Sequence, residues 1–146
     1  MDLTKSYPRS VKDKIAGVVM IGRTTDKGKA KAYGSLGEYH YNCPMDQAVF
    51  GFLGMNDEEY LDVIKSAKSD AELEAYVATF AAKKTPAEIE QWNAQFLSYA
   101  PQPGSEGEKY FNELRDQVAP DRSDVTAWPD LLDLDEKREV PRKTAV

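Results

Sequence analysis

The residues best suited to chemistry lie in one stretch, residues 22 to 47. It holds the only histidine and the only cysteine of the chain, His40 and Cys43. Pro44 excludes Cys43 from the α-region and offers a helix start, so we expect the thiol at a helix N-terminus, where the dipole favours a thiolate. Beside His40 or Lys27, Cys43 is a candidate nucleophile, and His40 is a candidate general acid or base. The alternative is that Cys43 is a small buried hydrophobe and His40 an ordinary surface or core residue.

A row of cations precedes these two residues. Arg23, Lys27 and Lys31 are spaced four residues apart, so on a helix they share one face. Such a row either binds an anion or is solvated. Arg23 follows an apolar run, and its planar fork suits a carboxylate or phosphate, whether on a ligand or on Asp46 within the fold. The candidate ligand-binding residues are therefore Arg23, Asp26, Lys27, Tyr39, Tyr41 and Asp46, and the candidate catalytic residues are His40 and Cys43.

Known metal and cofactor motifs are absent from the sequence. One histidine and one cysteine cannot close a structural zinc site, and the carboxylates around Asp133 do not follow the EF-hand pattern. A site built by carboxylates from separate helices together with His40 stays open, because spacing does not reveal it. We identify no P-loop, dinucleotide fingerprint or serine hydrolase elbow, so the cofactor is unknown and no metal residue is predicted.

Helix signals dominate the rest of the chain and must position these residues. Asn56 or Asp57 can cap a first helix, and three capping patterns of the form Ser/Thr-x-x-Glu predict further helix starts. They begin at Ser69, Thr85 and Ser105. A short helix from Trp128 to Glu136 is expected to dock through its apolar side chains.

Residues 10 to 32 are ambiguous. Ser10 could cap a helix, but the run of residues 18 to 21 could also be a short buried strand. Gly22 and Gly28 either permit close approach of a ligand or a neighbouring backbone, or they mark a break. We predict an all-α fold, a compact bundle-like domain of five to seven helices with a glycine-rich N-terminal segment.

Composition places the chain among globular proteins. Its 146 residues, of which 41% are hydrophobic and 30% charged, suit one domain. We expect a single helical domain over residues 1–140 and a frayed tail over residues 141–146. No apolar run approaches the roughly 18 residues that span a bilayer, and the N-terminus lacks a secretory signal. We therefore expect a cytoplasmic protein with no membrane partner.

Charge is spread unevenly along the chain. Residues 1 to 45 carry a net charge of +4. Because the whole sequence has a net charge of −6, residues 46 to 146 carry a net charge of −10. This asymmetry indicates either an anion site on an acidic body or attraction between the two ends of the chain. The isoelectric point of 4.9 argues against general nucleic-acid binding, which needs a domain-wide basic face.

Four segments together resemble a known family. They are Pro8-Arg-Ser10, Arg23-Thr-Thr-Asp-Lys-Gly-Lys-Ala30, Gly37-Glu-Tyr-His-Tyr-Asn-Cys-Pro-Met-Asp-Gln47 and Thr126-Ala-Trp-Pro-Asp-Leu-Leu-Asp-Leu-Asp135. In this arrangement the chain is similar to a bacterial family of small cytosolic proteins, domain of unknown function 5069. The resemblance spans nearly the whole chain and implies a bacterial origin and a single self-contained domain. It carries over no activity, cofactor or functional residue.

Two hypotheses of function follow. In the first, a pocket in residues 22 to 47 binds a small anionic molecule through Arg23 and Lys27, with Tyr39, His40, Tyr41 and Cys43 orienting it or moving protons; the sequence leaves open whether the site is catalytic. In the second, the chain is a non-catalytic interaction module. The basic N-terminal third or the segment from Trp128 to Glu136 would then dock a protein partner or a second copy of the chain.

Overall fold

The capping patterns begin helices where the sequence predicts them. In the computed structural model, which describes residues 1–143, the Thr85 hydroxyl accepts the Glu88 N–H at 3.1 Å. The Glu88 carboxylate accepts the Thr85 N–H at 3.0 Å in return. Asn56 Oδ1 accepts the N–H of Glu59 at 2.9 Å, so donors of both helix first turns are satisfied.

Seven helices and one small hairpin make up the described residues. The two strands are β1 (Lys14–Ile15) and β2 (Val18–Val19). The helices are α1 (Ile21–Ala32), α2 (Pro44–Leu53), α3 (Asp57–Ser66), α4 (Asp70–Ala81), α5 (Pro86–Leu97), α6 (Glu106–Val118) and α7 (Trp128–Asp135). The predicted all-α class with five to seven helices is confirmed. No helix among residues 1–143 is long and apolar enough to cross a membrane.

The chain divides into two units, Met1–Asn93 and Ala94–Val146. A single domain over residues 1–140 stays a prediction. In the second unit, residues of the predicted tail bond to the preceding loop: the Pro141 carbonyl accepts from Arg122, and the Lys143 N–H donates to Asp124 at 3.1 Å. The last part of that tail, residues 144–146, lies outside the described residues.

The possible helix beginning at Ser10 is wrong. The chain instead forms the antiparallel hairpin of β1 and β2, in which Lys14 pairs with Val19 and Ile15 with Val18. The two turn residues, Ala16 and Gly17, have φ of 53° and 81°, the backbone that a two-residue hairpin turn requires. This hairpin realises the strand alternative for Val18 and Val19, whose side chains are fully buried.

The core of the first unit is aliphatic around the hairpin and aromatic between α2, α3 and α4. Phe50 meets the Tyr60 ring edge-on at 6.1 Å, and Tyr60 stacks on Tyr76 at 5.6 Å. A smaller core lies in the second unit, where Trp128 of α7 meets Phe111 of α6 edge-on at 4.9 Å. The apolar side chains of α7 thus pack as predicted, within their own unit.

Candidate functional site

Helix α1 is polar in sequence and buried in the fold. Its residues from Ile21 to Gly28 are all buried, and Arg23, Asp26 and Lys27 are only 4%, 3% and 4% exposed. Charged side chains are almost never this deeply buried unless they are paired. Gly28 lies inside α1 and marks no break, whereas the chain does change direction near Gly22, because α1 begins at Ile21 directly after Met20, whose φ is 73°.

Asp46, in the first turn of α2, collects three donors and is fully buried. Lys27 Nζ lies 2.7 Å from its Oδ2, and the Cys43 N–H donates to the same oxygen at 3.1 Å. The Thr24 hydroxyl donates to Oδ1 at 2.6 Å. This carboxylate therefore ties α1 to the beginning of α2, and its cation partner is Lys27, not the Arg23 considered from the sequence.

Cys43 is the residue before the first turn of α2, as predicted, and it is half-buried. Lys27 Nζ donates to its Sγ at 3.3 Å. The sulfur, the ammonium and the Asp46 carboxylate therefore form a connected row. In sites of nucleophilic catalysis, the nucleophile contacts a group that exchanges protons with it, and a third group orients that second group. Cys43, Lys27 and Asp46 are in contact in the same order.

His40, the other candidate for catalysis, is exposed on the loop between α1 and α2. Within residues 1–143 it makes no hydrogen bond or ion pair. Of the two neighbours considered for the thiol, the structure brings Lys27, and not His40, into hydrogen bonding with Cys43. Lys31 is exposed as well, so the third cation of the predicted row is solvated while the first two are buried.

Arg23 lies one helical turn before Lys27 and faces the same loop. Its guanidinium lies 5.6 Å from the centre of the Tyr39 ring, a cation–π contact, and Nη1 donates to the Arg9 carbonyl at 3.2 Å. Tyr39 is only half-buried. The loop therefore covers both buried cations with side chains that still reach solvent, Tyr39 over Arg23 and Cys43 against Lys27.

Asp26, predicted to bind a ligand, is held by Arg9. The Arg9 guanidinium donates to both carboxylate oxygens, at 3.1 and 3.2 Å, and the Arg9 N–H donates at 2.8 Å. Sequence reasoning missed Arg9 as part of this cluster. Arg9 lies in the irregular segment before β1 and Asp26 lies on α1, 17 positions away, so no periodicity links them.

Two tyrosines beside α1 are hydrogen-bonded within the fold. The Tyr41 hydroxyl donates to the Asp57 carbonyl at 2.8 Å, and burial raises the pKa of Tyr41 well above its usual range. Tyr60, which the sequence did not single out for chemistry, shares a 2.7 Å hydrogen bond with the Thr25 hydroxyl. Burial raises the pKa of Tyr60 to about 12.

The donors present do not assemble a metal centre. Across the part of the chain that the structure describes, no group of three or more His, Cys, Asp or Glu side chains could hold a metal ion. Over the same residues, every buried side-chain nitrogen or oxygen has a hydrogen-bond partner. The buried polar atoms of the cluster are therefore satisfied within the fold, and Cys43 and Lys27 are in contact as a thiol and an ammonium.

Comparison with known proteins gives a family for this chain and no activity. No curated protein matches the sequence. Residues 5–138 match a family described as Domain of unknown function (DUF5069), which covers most of the chain and both of its units. The chain therefore belongs to the DUF5069 family.

Proposed function

We propose that the chain binds a small anionic molecule where Arg23 and Lys27 of α1 meet the loop of residues 39 to 43. The observation that carries this proposal is the pairing of each buried cation with a half-buried loop side chain. Tyr39 lies over the Arg23 guanidinium, and Cys43 Sγ lies 3.3 Å from Lys27 Nζ. A ligand that displaces or slides beneath these two side chains reaches both cations at once.

Donor capacity supports an anion as the ligand. An ammonium has three N–H donors, and Asp46 and Cys43 accept from two of those on Lys27. The Arg23 guanidinium has five donors in a planar fork, which binds several acceptors at once and suits carboxylate or phosphate. A ligand with two or more oxygens on one anionic group can bridge side chains one helical turn apart.

The cost of burying these charges also supports a functional role. Replacing a buried ion pair by apolar residues of similar volume is often neutral or stabilising, so stability alone does not favour a charged α1. Charges retained in such a place, beside a half-buried thiol, are typical of binding and catalytic sites.

Calorimetric titration with inorganic phosphate, citrate and acetate tests the proposal. We expect the wild type to bind at least one of the multivalent anions with a dissociation constant in the millimolar range or below, and Arg23→Gln to bind at least tenfold more weakly. Lys31→Gln removes one positive charge from the exposed end of the same helix and is the matched control. Far-UV circular dichroism verifies that each variant is folded.

Two results would contradict the proposal. One is a wild-type protein that binds none of the three anions at millimolar concentration. The other is an equal loss of affinity in Arg23→Gln and Lys31→Gln, because binding would then follow overall charge and not this site. The interaction module stays a prediction; Trp128 and Leu131, two of the side chains proposed to dock a partner, pack instead within the core of the second unit.

A further inference from the structure

We propose that Lys27 and Cys43 form an oxidative modification site, in which a peroxide drives formation of a covalent bond between Nζ and Sγ. The two atoms lie 3.3 Å apart. Cys43 is the only cysteine in the sequence, so its oxidised sulfur has no second cysteine among these 146 residues with which to form a disulfide. The side chain in contact with that sulfur is an amine, which can take the place of a second thiol.

The surroundings of the pair hold both atoms in position. Asp46 fixes the Lys27 ammonium at 2.7 Å and accepts the Cys43 N–H, and the Thr24 hydroxyl holds Asp46 at 2.6 Å. Lys27 is buried, which leaves its side chain little conformational freedom to lose when a bond forms. Cys43 is half-buried, so part of the residue is open to a molecule as small as hydrogen peroxide.

The first step oxidises the sulfur. Cys43 Sγ attacks one oxygen of hydrogen peroxide, the O–O bond breaks, and the products are a sulfenic acid and water. The sulfur loses two electrons, and the peroxide is reduced. The product oxygen lies on a sulfur that is already in contact with Lys27.

The second step joins the two side chains. The Lys27 ammonium gives one proton to Asp46, and the resulting amine attacks the sulfur as its S–O bond breaks. The departing hydroxide takes the proton from Asp46 and leaves as water, and the nitrogen that is now bonded to sulfur loses one further proton to solvent. No additional oxidant is needed, because condensation of a sulfenic acid with a nitrogen keeps the oxidation state of the sulfur.

The cross-link would remove the positive charge of Lys27 and separate it from Asp46. That change holds whether or not Arg23 and Lys27 bind an anion, so this inference stands or fails independently of the proposed function. A reductant that cleaves the nitrogen–sulfur bond restores both side chains, which makes the pair a reversible sensor of peroxide.

Peptide mapping of the full-length protein after treatment with hydrogen peroxide tests the inference. Trypsin does not cleave after a modified lysine, so the cross-link joins the peptide of residues 24–29 to the peptide of residues 32–65. We expect this joined species at about 2 Da below the summed peptide masses, and dithiothreitol to release it. Met45 and Met55 lie in the longer peptide, but their sulfoxides resist dithiothreitol, so reversal distinguishes the cross-link from methionine oxidation.

Lys27→Arg and Lys31→Arg form a matched pair of variants. Arginine at position 27 keeps a positive charge for Asp46 but offers no attacking amine, so we expect the cross-link to disappear and Cys43 to proceed to sulfinic acid. Lys31→Arg is expected to cross-link like the wild type. Should Lys27→Arg not fold, fragmentation of the wild-type species still identifies the lysine that is joined.

Three results would overturn the inference. The first is wild-type Cys43 that proceeds to sulfinic or sulfonic acid with no joined peptide. The second is a joined peptide that retains one oxygen, since the bond would then be N–O–S and the second step as written would be wrong. The third is a cross-link of the same yield in Lys27→Arg, which would assign it to another lysine.

Discussion

Replacement of Asp46 by asparagine is expected to destabilise the fold by about 3 kcal/mol, because it leaves the ammonium of Lys27 buried without a counter-charge. The carboxylate is fully buried, and the Lys27 side chain is 5% exposed. Asparagine can keep the geometry: its oxygen can accept from Lys27 and the Cys43 N–H, while its amide nitrogen can donate to the Thr24 hydroxyl. The decrease in the free energy of unfolding therefore measures the effect of the lost charge and not of a missing hydrogen bond.

A double-mutant cycle isolates the pair. Lys27→Met alone leaves the carboxylate buried without its cation and is expected to cost a similar amount. The double variant Lys27→Met with Asp46→Asn removes both charges, so its cost should fall below the sum of the two single costs by about 2 kcal/mol. Asp62→Asn changes an exposed carboxylate on α3 and should cost less than about 0.5 kcal/mol.

Urea unfolding followed by far-UV circular dichroism measures these differences. With a typical slope of about 2 kcal/mol per molar urea, the Asp46→Asn midpoint should fall by about 1.5 M. A decrease of less than about 0.5 M, or single costs that add without coupling, would refute the reasoning. Either result would mean that water or another charge compensates Lys27 once Asp46 is neutral.

Three further predictions follow. Gly28→Ala would bring a Cβ to 2.5 Å from Ile64 Cδ1 and is expected to lower the free energy of unfolding by about 1 kcal/mol. In Gly51→Ala the Cβ meets no heavy atom within 4 Å, so this variant should stabilise α2. Equal shifts of the melting temperature in the two variants would contradict this reasoning. Asn93→Ala removes two hydrogen bonds to the hairpin, so amide exchange there should accelerate with a loss of about 1–3 kcal/mol. Burial raises the pKa of Tyr60 to about 12 in the folded state, whereas the unfolded tyrosine ionises near pH 10. The neutral side chain therefore stabilises the fold fully below pH 10, and this contribution is lost as the pH rises from 10 to 12. In Tyr60→Phe the urea midpoint should fall less steeply between pH 10 and 12 than in the wild type. An unchanged slope would mean that this tyrosine does not cause the loss of stability.

Helix starts were predictable because their determinants are local. The reciprocal bonds of Thr85 and Glu88 join residues three apart, and proline at position 44 marks the first turn of α2 whatever lies around it. A short window of sequence holds all the groups involved. These predictions therefore needed no knowledge of the tertiary fold.

For the hairpin, local sequence could not decide between the helix and the strand alternative. Part of what holds it comes from α5, where Asn93 accepts the Val19 N–H and donates to the Gly17 carbonyl. These partners are separated by more than 70 positions along the chain. The positive φ of Ala16 gives no signal either, since alanine is not a residue typical of that conformation.

The sequence predicted which residues lie together in the candidate site better than it predicted the contacts between them. Lys27, Cys43 and Asp46 do come together, because proline placed Cys43 before α2 and the spacing of four placed Lys27 on the face of Arg23. His40 showed no such constraint and is exposed. Which cation meets which carboxylate depends on how α1 packs against its neighbours, and that packing is a tertiary property.

Burial of α1 connects the fold to the proposed chemistry. From the sequence, its row of cations is either solvated or bound to an anion, whereas in the fold Asp46 of α2 lies against Lys27, and Arg9 of the segment before β1 lies against Asp26. Asp46 stabilises the buried ammonium, and the same contact holds that ammonium against the Cys43 sulfur. Stability and thiol chemistry therefore depend on one carboxylate, so a variant that weakens this ion pair should lose stability and oxidative cross-linking together. Thr24→Val is the milder perturbation, because it loosens the carboxylate without removing a charge.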